Sequence, residues 1–310
     1  MELRQLEYLV AVVDEASFTR AAERLHVAQP GVSAQIRQLE REFGQELLDR
    51  SARTVRPTQA GEAVLRYARE ALGAAAGARL AVDELSGLVR GQVVVGMVVA
   101  CSSVDLADLL AEYHCDHPGV EIALSEADSD DLIEGLLTGR LDMAFVGLGA
   151  DDPPGLEVLV IADEPIYAAV SKIDALAGQE SIELAALLDR PLMSLPRGTG
   201  LRSVLEDACA RAGLKPRIAL EATNLGLLAQ LAGRGLGVAI LPESVALSQP
   251  DTLHPVAIMP PMRGRVALAW RTDGPVSPAA RALIGRARKS LGAVAGTAEG
   301  PVVPSQEPAA

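Results

Sequence analysis

The chain has 310 residues, of which 49% are hydrophobic and 22% are charged, so it is long enough for two or three globular domains of ordinary composition. Its formal net charge of −13 excludes a protein that is basic overall, so any contact with nucleic acid must use a local patch. The three cysteines are too few for a disulfide scaffold, and there is neither a signal peptide nor a run of about 18 apolar residues, so we expect a soluble, cytoplasmic protein without membrane contact.

The first 57 residues predict three helices followed by a short hairpin. Apolar residues recur at helical spacing in each helix, Ser17 is placed to cap the second, and Gly44 stands where a left-handed residue ends the third. Pro30 suits the first turn of the third helix. Two extended pieces, at 47–50 and 54–57, form the hairpin. The buried stripe expected on the third helix consists of Val32, Ile36, Leu39 and Phe43.

The second and third helices, at 17–43, form a predicted helix-turn-helix. In this motif the outer face of the latter helix projects into the major groove of DNA. A glutamine there can make two hydrogen bonds to adenine, and a serine can reach a base edge or a phosphate. A solvated face beside Glu40 is the alternative for the two arginines of this helix. The outer face carries Gln29, Pro30, Ser33, Ala34, Arg37 and Arg41.

The hairpin is locally basic, because it contains Arg50, Arg53 and Arg56 and no acidic residue between them. This charge pattern is typical of a wing that lies on the phosphate backbone or in the minor groove. A salt bridge within the wing is the alternative for Arg50.

A long proline-free segment from 59 to 88 predicts one helix of about 45 Å, capped by Thr58. Its apolar residues alternate in spacings of four and three, which favours a coiled-coil seam and therefore a dimer. An ordinary core helix is the alternative. The seam consists of Leu65, Ala68, Leu72, Ala75, Val82 and Val89.

From residue 90 onward, strands alternate with helices, which predicts a largely parallel sheet covered on both faces. The stretch 149–171 interrupts the alternation and is interpreted as the crossover between two subdomains. Residues 292–310 lack periodicity and predict a disordered tail. The elements expected are strands at 92–99, 120–126, 143–148, 191–195, 217–222 and 237–241, and helices at 102–113, 129–138, 224–233 and after Thr199.

Two α/β subdomains leave a cleft between them, and small ligands bind in such clefts near strand ends and helix starts. Glycines with two arginines at one helix start favour an anionic ligand. The alternative for Ser102, Thr199 and Thr223 is simple helix capping. The candidate residues are Ala100, Cys101, Ser102, Ser103, Pro196, Arg197, Gly198, Thr199, Gly200, Arg202, Thr223 and Asn224, with Asp128 and Gly147 as further candidates.

Residues 17–62 closely resemble the DNA-binding domain of LysR-type transcriptional regulators, through A-A-x-x-L, Q-P-x-V-S-x-Q-I-x-x-L-E, L-x-R and P-T-x-A-G-E. The region 91–291 resembles the effector-binding domain of that family, which is organised like the type 2 periplasmic binding proteins. The matching pieces are G-Q-V-V-V-G, H-P-G-V-E-I, G-x-L-D-M-A and G-L-G-V-A-I-L-P.

The resemblance implies a multidomain fold in which an all-α winged helix-turn-helix domain at 1–58 and a linker helix at 59–89 precede an α/β effector domain at 90–291. It implies base contacts from Gln29, Pro30 and Ser33, with Ala34 beside them. It implies backbone or minor-groove contacts from the arginines at 37, 50, 53 and 56. The implied partners are double-stranded DNA, a small effector, for which the two arginines favour an anion, RNA polymerase, and further copies of the chain in a homodimer or homotetramer.

No cofactor, metal or catalytic function is expected. His114, Cys115 and His117 lack the further ligands that a tetrahedral metal site needs. Cys209 has no partner close in sequence, whereas Cys101 flanks the proposed cleft. Two alternatives stay open: a constitutive DNA-binding regulator without an effector, and an α/β protein that binds or converts a small molecule.

Overall fold

The computed structural model describes residues 1–51, 54–84, 89–98, 106–273 and 276–295, with the side chains of 79–84 and 292–295 left aside. Arg53, the residues 85–88 at the end of the predicted long helix, the four candidates at 100–103, and the residues 296–310 lie outside this range. No helix in these described ranges is long and apolar enough to cross a membrane.

The N-terminal domain consists of three helices and a two-stranded hairpin around one core. Ser17 accepts a hydrogen bond from the Arg20 N–H and caps the second helix, and Gly44 ends the third at φ 66°. Phe43 does not belong to the buried stripe, because it lies in the last turn at the edge of the core and is 43% exposed. The elements are α1 (Leu3–Asp14), α2 (Phe18–Arg24), α3 (Gln29–Phe43), β1 (Leu48–Asp49) and β2 (Arg56–Pro57).

The long helix α4 (Gln59–Glu84) begins after Thr58, whose hydroxyl accepts a hydrogen bond from the Gly61 N–H at 3.1 Å. Leu65 and Ala68 are buried in the core of the N-terminal domain, where α4 packs against α1. The first turns of the predicted seam are therefore used within the domain. Leu72 and Ala75, further along, are only half-buried.

The remaining chain folds into two α/β halves. The helix predicted at 102–113 is described from Leu106 to Asp116, since 102–105 lie outside the described residues. The last helix continues to Ala295, beyond the point where a disordered tail was predicted to begin. The elements are β3 (Gly91–Met97), α5 (Leu106–Asp116), β4 (Val120–Glu126), α6 (Ser129–Leu137), β5 (Met143–Leu148), β6 (Leu156–Ser171), β7 (Ser181–Glu183), α7 (Leu184–Leu187), β8 (Leu192–Ser194), α8 (Gly200–Arg211), β9 (Ile218–Glu221), α9 (Leu225–Gly233), β10 (Val238–Pro242), α10 (Glu243–Ala246), β11 (Leu253–Met259), β12 (Arg263–Arg271) and α11 (Pro278–Ala295).

The strands follow the order β4-β3-β5-β12-β6-β10-β8-β9, with β11 paired to β6 and β7. The strands β3, β4 and β5 are parallel, as are β8, β9 and β10. The prediction of a largely parallel sheet is wrong at the centre, where β6 and β12 run antiparallel to their neighbours. The sheet is mixed because the chain passes from the first half to the second along β6 and returns to the first half at β12.

Strand β6 links the two halves directly. Its first part, up to Pro165, pairs with β12, and its last part, from Ile166, pairs with β10 and β11. Each half has its own buried core, and α11 covers the first one with Ala279, Leu283 and Ala287. The predicted crossover at 149–171 thus contains one continuous strand, and a cleft lies where the halves meet.

Candidate functional site

The outer face of α3 presents polar and small side chains to solvent. Gln29, Pro30, Ala34 and Arg37 are exposed, and Ser33 is half-buried. The helix begins at Gln29 with proline in its first turn, so its first N–H groups have no partner within the helix. All five predicted positions therefore lie together on the face opposite the buried stripe.

Within the described residues, the two arginines of α3 make local hydrogen bonds. Arg37 Nη1 donates to Ser33 Oγ at 3.0 Å, and Arg41 Nε donates to the Arg37 carbonyl at 3.2 Å. Both contacts lie in solvent. They can therefore be exchanged for contacts with a phosphate at small cost.

Arg50, which is partly exposed, forms an ion pair with the buried Glu40. Its Nη2 lies 2.6 Å from Glu40 Oε2, and its guanidinium stacks 5.3 Å from the centre of the Phe18 ring. Glu40 Oε1 also accepts the Leu47 and Leu48 N–H groups at 3.1 and 3.3 Å. The partner of Arg50 therefore lies on α3, and not within the wing. Arg50 thus fixes the wing, and its charge is largely neutralised.

Arg56 lies on β2 opposite Asp49 and is exposed. The pKa of the Asp49 carboxyl is lowered by hydrogen bonds from the Ser51 hydroxyl and N–H, and by the charge of Arg56. Within the described part of the hairpin, Arg50 has a close ion pair and Arg56 has none.

A cavity of about 320 Å³ lies between the two α/β halves. Both halves and both crossover strands contribute to its wall, which is mostly apolar. The wall consists of Val98, Ala127, Asp128, Ser129, Gly147, Leu148, Ala162, Glu164, Leu195, Pro196, Arg197, Thr199, Gly200, Leu201, Thr223, Leu225, Pro242, Gly264, Arg265 and Val266.

The structure brings seven of the predicted effector residues to this wall, from four separate loops and strands. They are Asp128, Gly147, Pro196, Arg197, Thr199, Gly200 and Thr223. Thr199 occupies the N-cap position of α8, but its hydroxyl makes no capping bond and donates instead to the Pro196 carbonyl at 2.7 Å. Thr223 precedes the cap of α9, which is Asn224.

Three predicted residues do not line the cavity. Arg202 is 4% exposed and is held by Glu206 at 2.9 Å and Glu221 at 2.7 Å, so its charge is neutralised within the protein. Asn224 caps α9 by accepting the Leu227 N–H. Gly198, at φ 85°, lies against the Asp128 carboxylate.

The two halves touch closely at one edge of the cavity. The Asp130 N–H donates to the Gly198 carbonyl at 3.2 Å, which links the start of α6 to the loop before α8. A Cβ on Gly200 would lie 2.3 Å from the Gly147 carbonyl carbon, so only glycine fits there. Burial, together with the charges of Asp128 and Asp131, raises the pKa of the Asp130 carboxyl.

Sequence reasoning missed the part of the wall that comes from β6, β10 and β12. Arg265 and Glu164 are its charged members, and Pro242 ends β10. The alternation in R-G-R-V-A-L-A-W is the signal that could have identified β12. Its position beside the cleft depends on pairing with β5 and β6, more than 90 residues earlier, which no local pattern records.

Cys209 is buried in α8, and burial and the nearby Glu206 raise the pKa of its thiol. A raised pKa disfavours the thiolate, which is the reactive form. Cys115 is exposed on α5, and Cys101 lies outside the described residues.

Comparison with known proteins identifies both parts of the chain. Residues 3–62 match the model for bacterial regulatory helix-turn-helix proteins of the lysR family, and residues 86–292 match the LysR substrate binding domain. The regulator ShiR of Corynebacterium glutamicum is 34% identical over 87% of this chain and 92% of its own length.

Solved structures agree with the sequence matches. A full-length OxyR variant from Pseudomonas aeruginosa superposes with a TM-score of 0.69 at 28% identity, covering 93% of this chain and 95% of that one. Full-length CbnR in complex with its target DNA superposes with a TM-score of 0.53 at 28% identity, covering 94% of this chain and all of that one (100%).

Proposed function

The chain belongs to the LysR family of DNA-binding transcriptional regulators with an effector-binding domain, and from this premise we propose which of its residues bind DNA and effector. DNA is read by the outer face of α3, with Gln29, Pro30 and Ser33 at base edges and Arg37 on a phosphate. The observation that supports this assignment is the exposed polar face opposite the buried stripe of α3.

The wing contributes backbone or minor-groove contacts through Arg56, and through Arg53 outside the described residues. Arg50 contributes less, because Glu40 already holds it at 2.6 Å. Ala34 brings the helix close to the groove without a polar contact of its own.

DNase footprinting tests the base contacts. We expect Gln29→Ala to weaken specific protection about tenfold or more. Gln38→Ala, an exposed glutamine further along the same helix, serves as the matched control. Equal protection by the two variants would contradict the assignment.

The effector binds in the cavity between the α/β halves. The supporting observation is that both halves supply its wall, so a ligand that fills it favours one angle between them. Coupling to DNA requires that the effector bind two arrangements of the molecule with different affinity.

The chain divides into the winged domain at 1–58, the linker helix at 59–89 and the effector domain from residue 90, which includes α11 to its end at Ala295. Two chains pair along α4, and the α/β domains add the contacts of a tetramer. The regulator works beside RNA polymerase on promoter DNA, and therefore in the cytoplasm. We assign it no catalytic step.

A further inference from the structure

The outer face of α3 carries a row of two arginines, one helical turn apart. Arg37 Nη1 donates to Ser33 Oγ at 3.0 Å, and Arg41 Nε donates to the Arg37 carbonyl at 3.2 Å. Each guanidinium therefore reaches back by four residues, towards the end of α3 that begins at Gln29. Each bond uses one of the five N–H groups of an arginine. In the described part of the chain, the other four have no acceptor on either residue.

The carboxylates of the same helix are engaged elsewhere. Glu40 pairs with Arg50 at 2.6 Å, and Glu42 lies 2.5 Å from the N-terminal amine. Among the described residues, neither Arg37 nor Arg41 forms an ion pair. Both therefore keep an uncompensated positive charge on the surface of a chain whose net charge is −13.

A groove of about 760 Å³ lies where the C-terminal end of α3 meets the wing. Its wall includes Arg37, Arg41 and Arg50, together with Glu40 and Glu46. Because Glu40 offsets Arg50, two arginines are left against one glutamate, and the groove has an excess of positive charge. Such a surface attracts an anion that can approach from solvent.

The base contacts proposed for α3 come from Gln29, Pro30 and Ser33, which precede this row on the same face. A recognition helix that reads base edges with its N-terminal residues brings its later turns towards the DNA backbone. Resting on that proposed role of α3, we propose that Arg41 binds a phosphate of the DNA backbone at this groove, in addition to the phosphate bound by Arg37. The ligand is a phosphodiester of double-stranded DNA, bound without regard to base sequence.

The alternative role for Arg41 is local. It lies in the last turn of α3, where a cation can stabilise the helix by interacting with the free C-terminal carbonyl groups. However, Arg41 donates to the Arg37 carbonyl, which is not one of the last four carbonyls of α3 and already belongs to the helical pattern. Its guanidinium thus points back along the row and away from the helix end.

Fluorescence anisotropy of the full-length protein over a series of salt concentrations tests the proposal. Two labelled duplexes are used, one selected from a random pool by the wild-type protein and one of unrelated sequence. Each neutralised phosphate adds about 0.9 to the steepness with which log K falls with log salt concentration. We expect Arg41→Gln to reduce this steepness by about 0.9 for each bound subunit. Binding of both duplexes at low salt should weaken by a similar factor, about tenfold or more.

Arg234→Gln is the matched control. Arg234 is also exposed and donates to the carbonyl four residues earlier, that of Gln230, at 3.1 Å, but it lies in the effector domain. Its replacement removes one positive charge without altering the groove, so the steepness should not change. Arg41→Lys should keep the steepness, because lysine binds a phosphate as a point charge. Melting temperatures of all variants detect any loss of helix stability.

Three results would overturn the proposal. They are unchanged steepness in Arg41→Gln, weakening confined to the selected duplex, and loss of steepness in Arg41→Lys equal to that in Arg41→Gln. A lower melting temperature of Arg41→Gln with unchanged DNA affinity would likewise overturn it, in favour of the local role.

Gln29→Ala, measured in the same series, keeps this claim separate from the proposed function, since it should weaken the selected duplex alone. If Gln29→Ala behaves in this way while Arg41→Gln matches Arg234→Gln, only the role of Arg41 is contradicted. A wild-type protein that binds neither duplex contradicts the proposed function itself.

Discussion

At the scale of single residues, Gly200 and Gly147 determine how closely the two α/β halves approach. A Cβ on Gly200 would lie 2.3 and 2.4 Å from the Gly147 carbonyl carbon and oxygen, and 2.7 Å from the Leu148 nitrogen. Backbone atoms cannot turn aside as a side chain can. A methyl group at position 200 therefore has to push the halves apart.

We predict that Gly200→Ala lowers the free energy of unfolding by about 1–3 kcal/mol and weakens effector binding. Gly285→Ala is the control, because it adds a methyl group in a helix where nothing lies within 4 Å of it, and helix propensity should make it neutral or stabilising. Melting temperatures of the full-length variants measure the difference. Equal stability of the two variants would show that the halves do not meet at this contact.

Glu40 stabilises the contact between α3 and the wing. Its carboxylate accepts hydrogen bonds from the Leu47 and Leu48 N–H groups and from Arg50. Glu40→Ala leaves the Leu47 and Leu48 N–H groups without an acceptor, at a cost of about 2 kcal/mol or more. Hydrogen exchange of the amides at 47 and 48 should accelerate accordingly.

Glu42→Ala is the control for Glu40→Ala. Glu42 is a partly exposed glutamate of the same helix, paired with the N-terminal amine. Its loss should change exchange at 47 and 48 by less than about 0.5 kcal/mol. Similar exchange in both variants would argue against the described role of Glu40.

The buried carboxyl of Asp142 is expected to make the stability of the protein depend on pH. Burial raises the pKa of its carboxyl, against the Val94 N–H bond and the charge of Arg271. A carboxyl whose pKa is raised by folding binds protons more tightly in the folded state, so ionisation destabilises the protein as the pH rises above the ordinary value. Asp142→Asn removes this penalty and can still accept the Val94 N–H.

The stability of Asp142→Asn relative to wild type should therefore be most favourable near pH 7 and should decrease as the pH falls towards about 4. Melting temperatures over this range provide the measurement. A difference that stays constant with pH, or that grows as the pH falls, would contradict the raised pKa.

At the scale of elements, local patterns predicted much of the fold. The strands at 120–126 and 143–148 have the predicted bounds, and the caps at Ser17, Gly44 and Thr58 form as expected. These features depend on residues within a few positions of each other. Local hydrophobic patterns and capping chemistry therefore suffice to predict these strands and caps.

What the sequence could not predict depends on distant partners. Arg265 reaches the cavity because β12 pairs with β5 and β6, and Arg202 is neutralised by Glu221, 19 residues further along the chain. A pair of arginines at a helix start predicts an anion site, but an arginine that forms ion pairs within the protein no longer attracts an anion. The sequence does not show which carboxylates lie close enough to form such pairs. Only part of the cavity wall could therefore be inferred, and one of the two arginines expected to give it positive charge, Arg202, is neutralised within the protein.

Helix α4 has two consecutive roles. Leu65 and Ala68 pack into the N-terminal domain, whereas Ala75 lies about two turns beyond Ala68 and is only half-buried. If α4 pairs with a second copy, Ala75→Glu should raise the dimer dissociation constant about tenfold or more by burying a charge. Ala74→Glu, on an exposed position next to it, is the control.

Sedimentation equilibrium of the full-length variants measures this effect. Equal dissociation constants for Ala74→Glu and Ala75→Glu would place the dimer contact elsewhere on the molecule.

At the scale of the whole molecule, α4 links the DNA-binding domain to the effector domain through an ion pair as well as through the covalent connection of the chain. Arg271 Nη1, on β12, lies 3.7 Å from Glu70 Oε1 on α4. Strand β12 also carries Arg265 on the cavity wall. One strand therefore contacts both the cavity and the helix that leads to the DNA-binding domain, which is a direct structural connection between the two functions.

We infer that this acidic chain reads DNA through a local surface, as a dimer of winged domains. Selection of DNA from a random pool by the full-length protein at low salt, followed by sequencing, tests it most directly, because phosphate contacts are strongest there. We predict an interrupted palindrome whose half-sites are separated by whole turns of about 10–10.5 base pairs. Absence of any enriched sequence would contradict the claim.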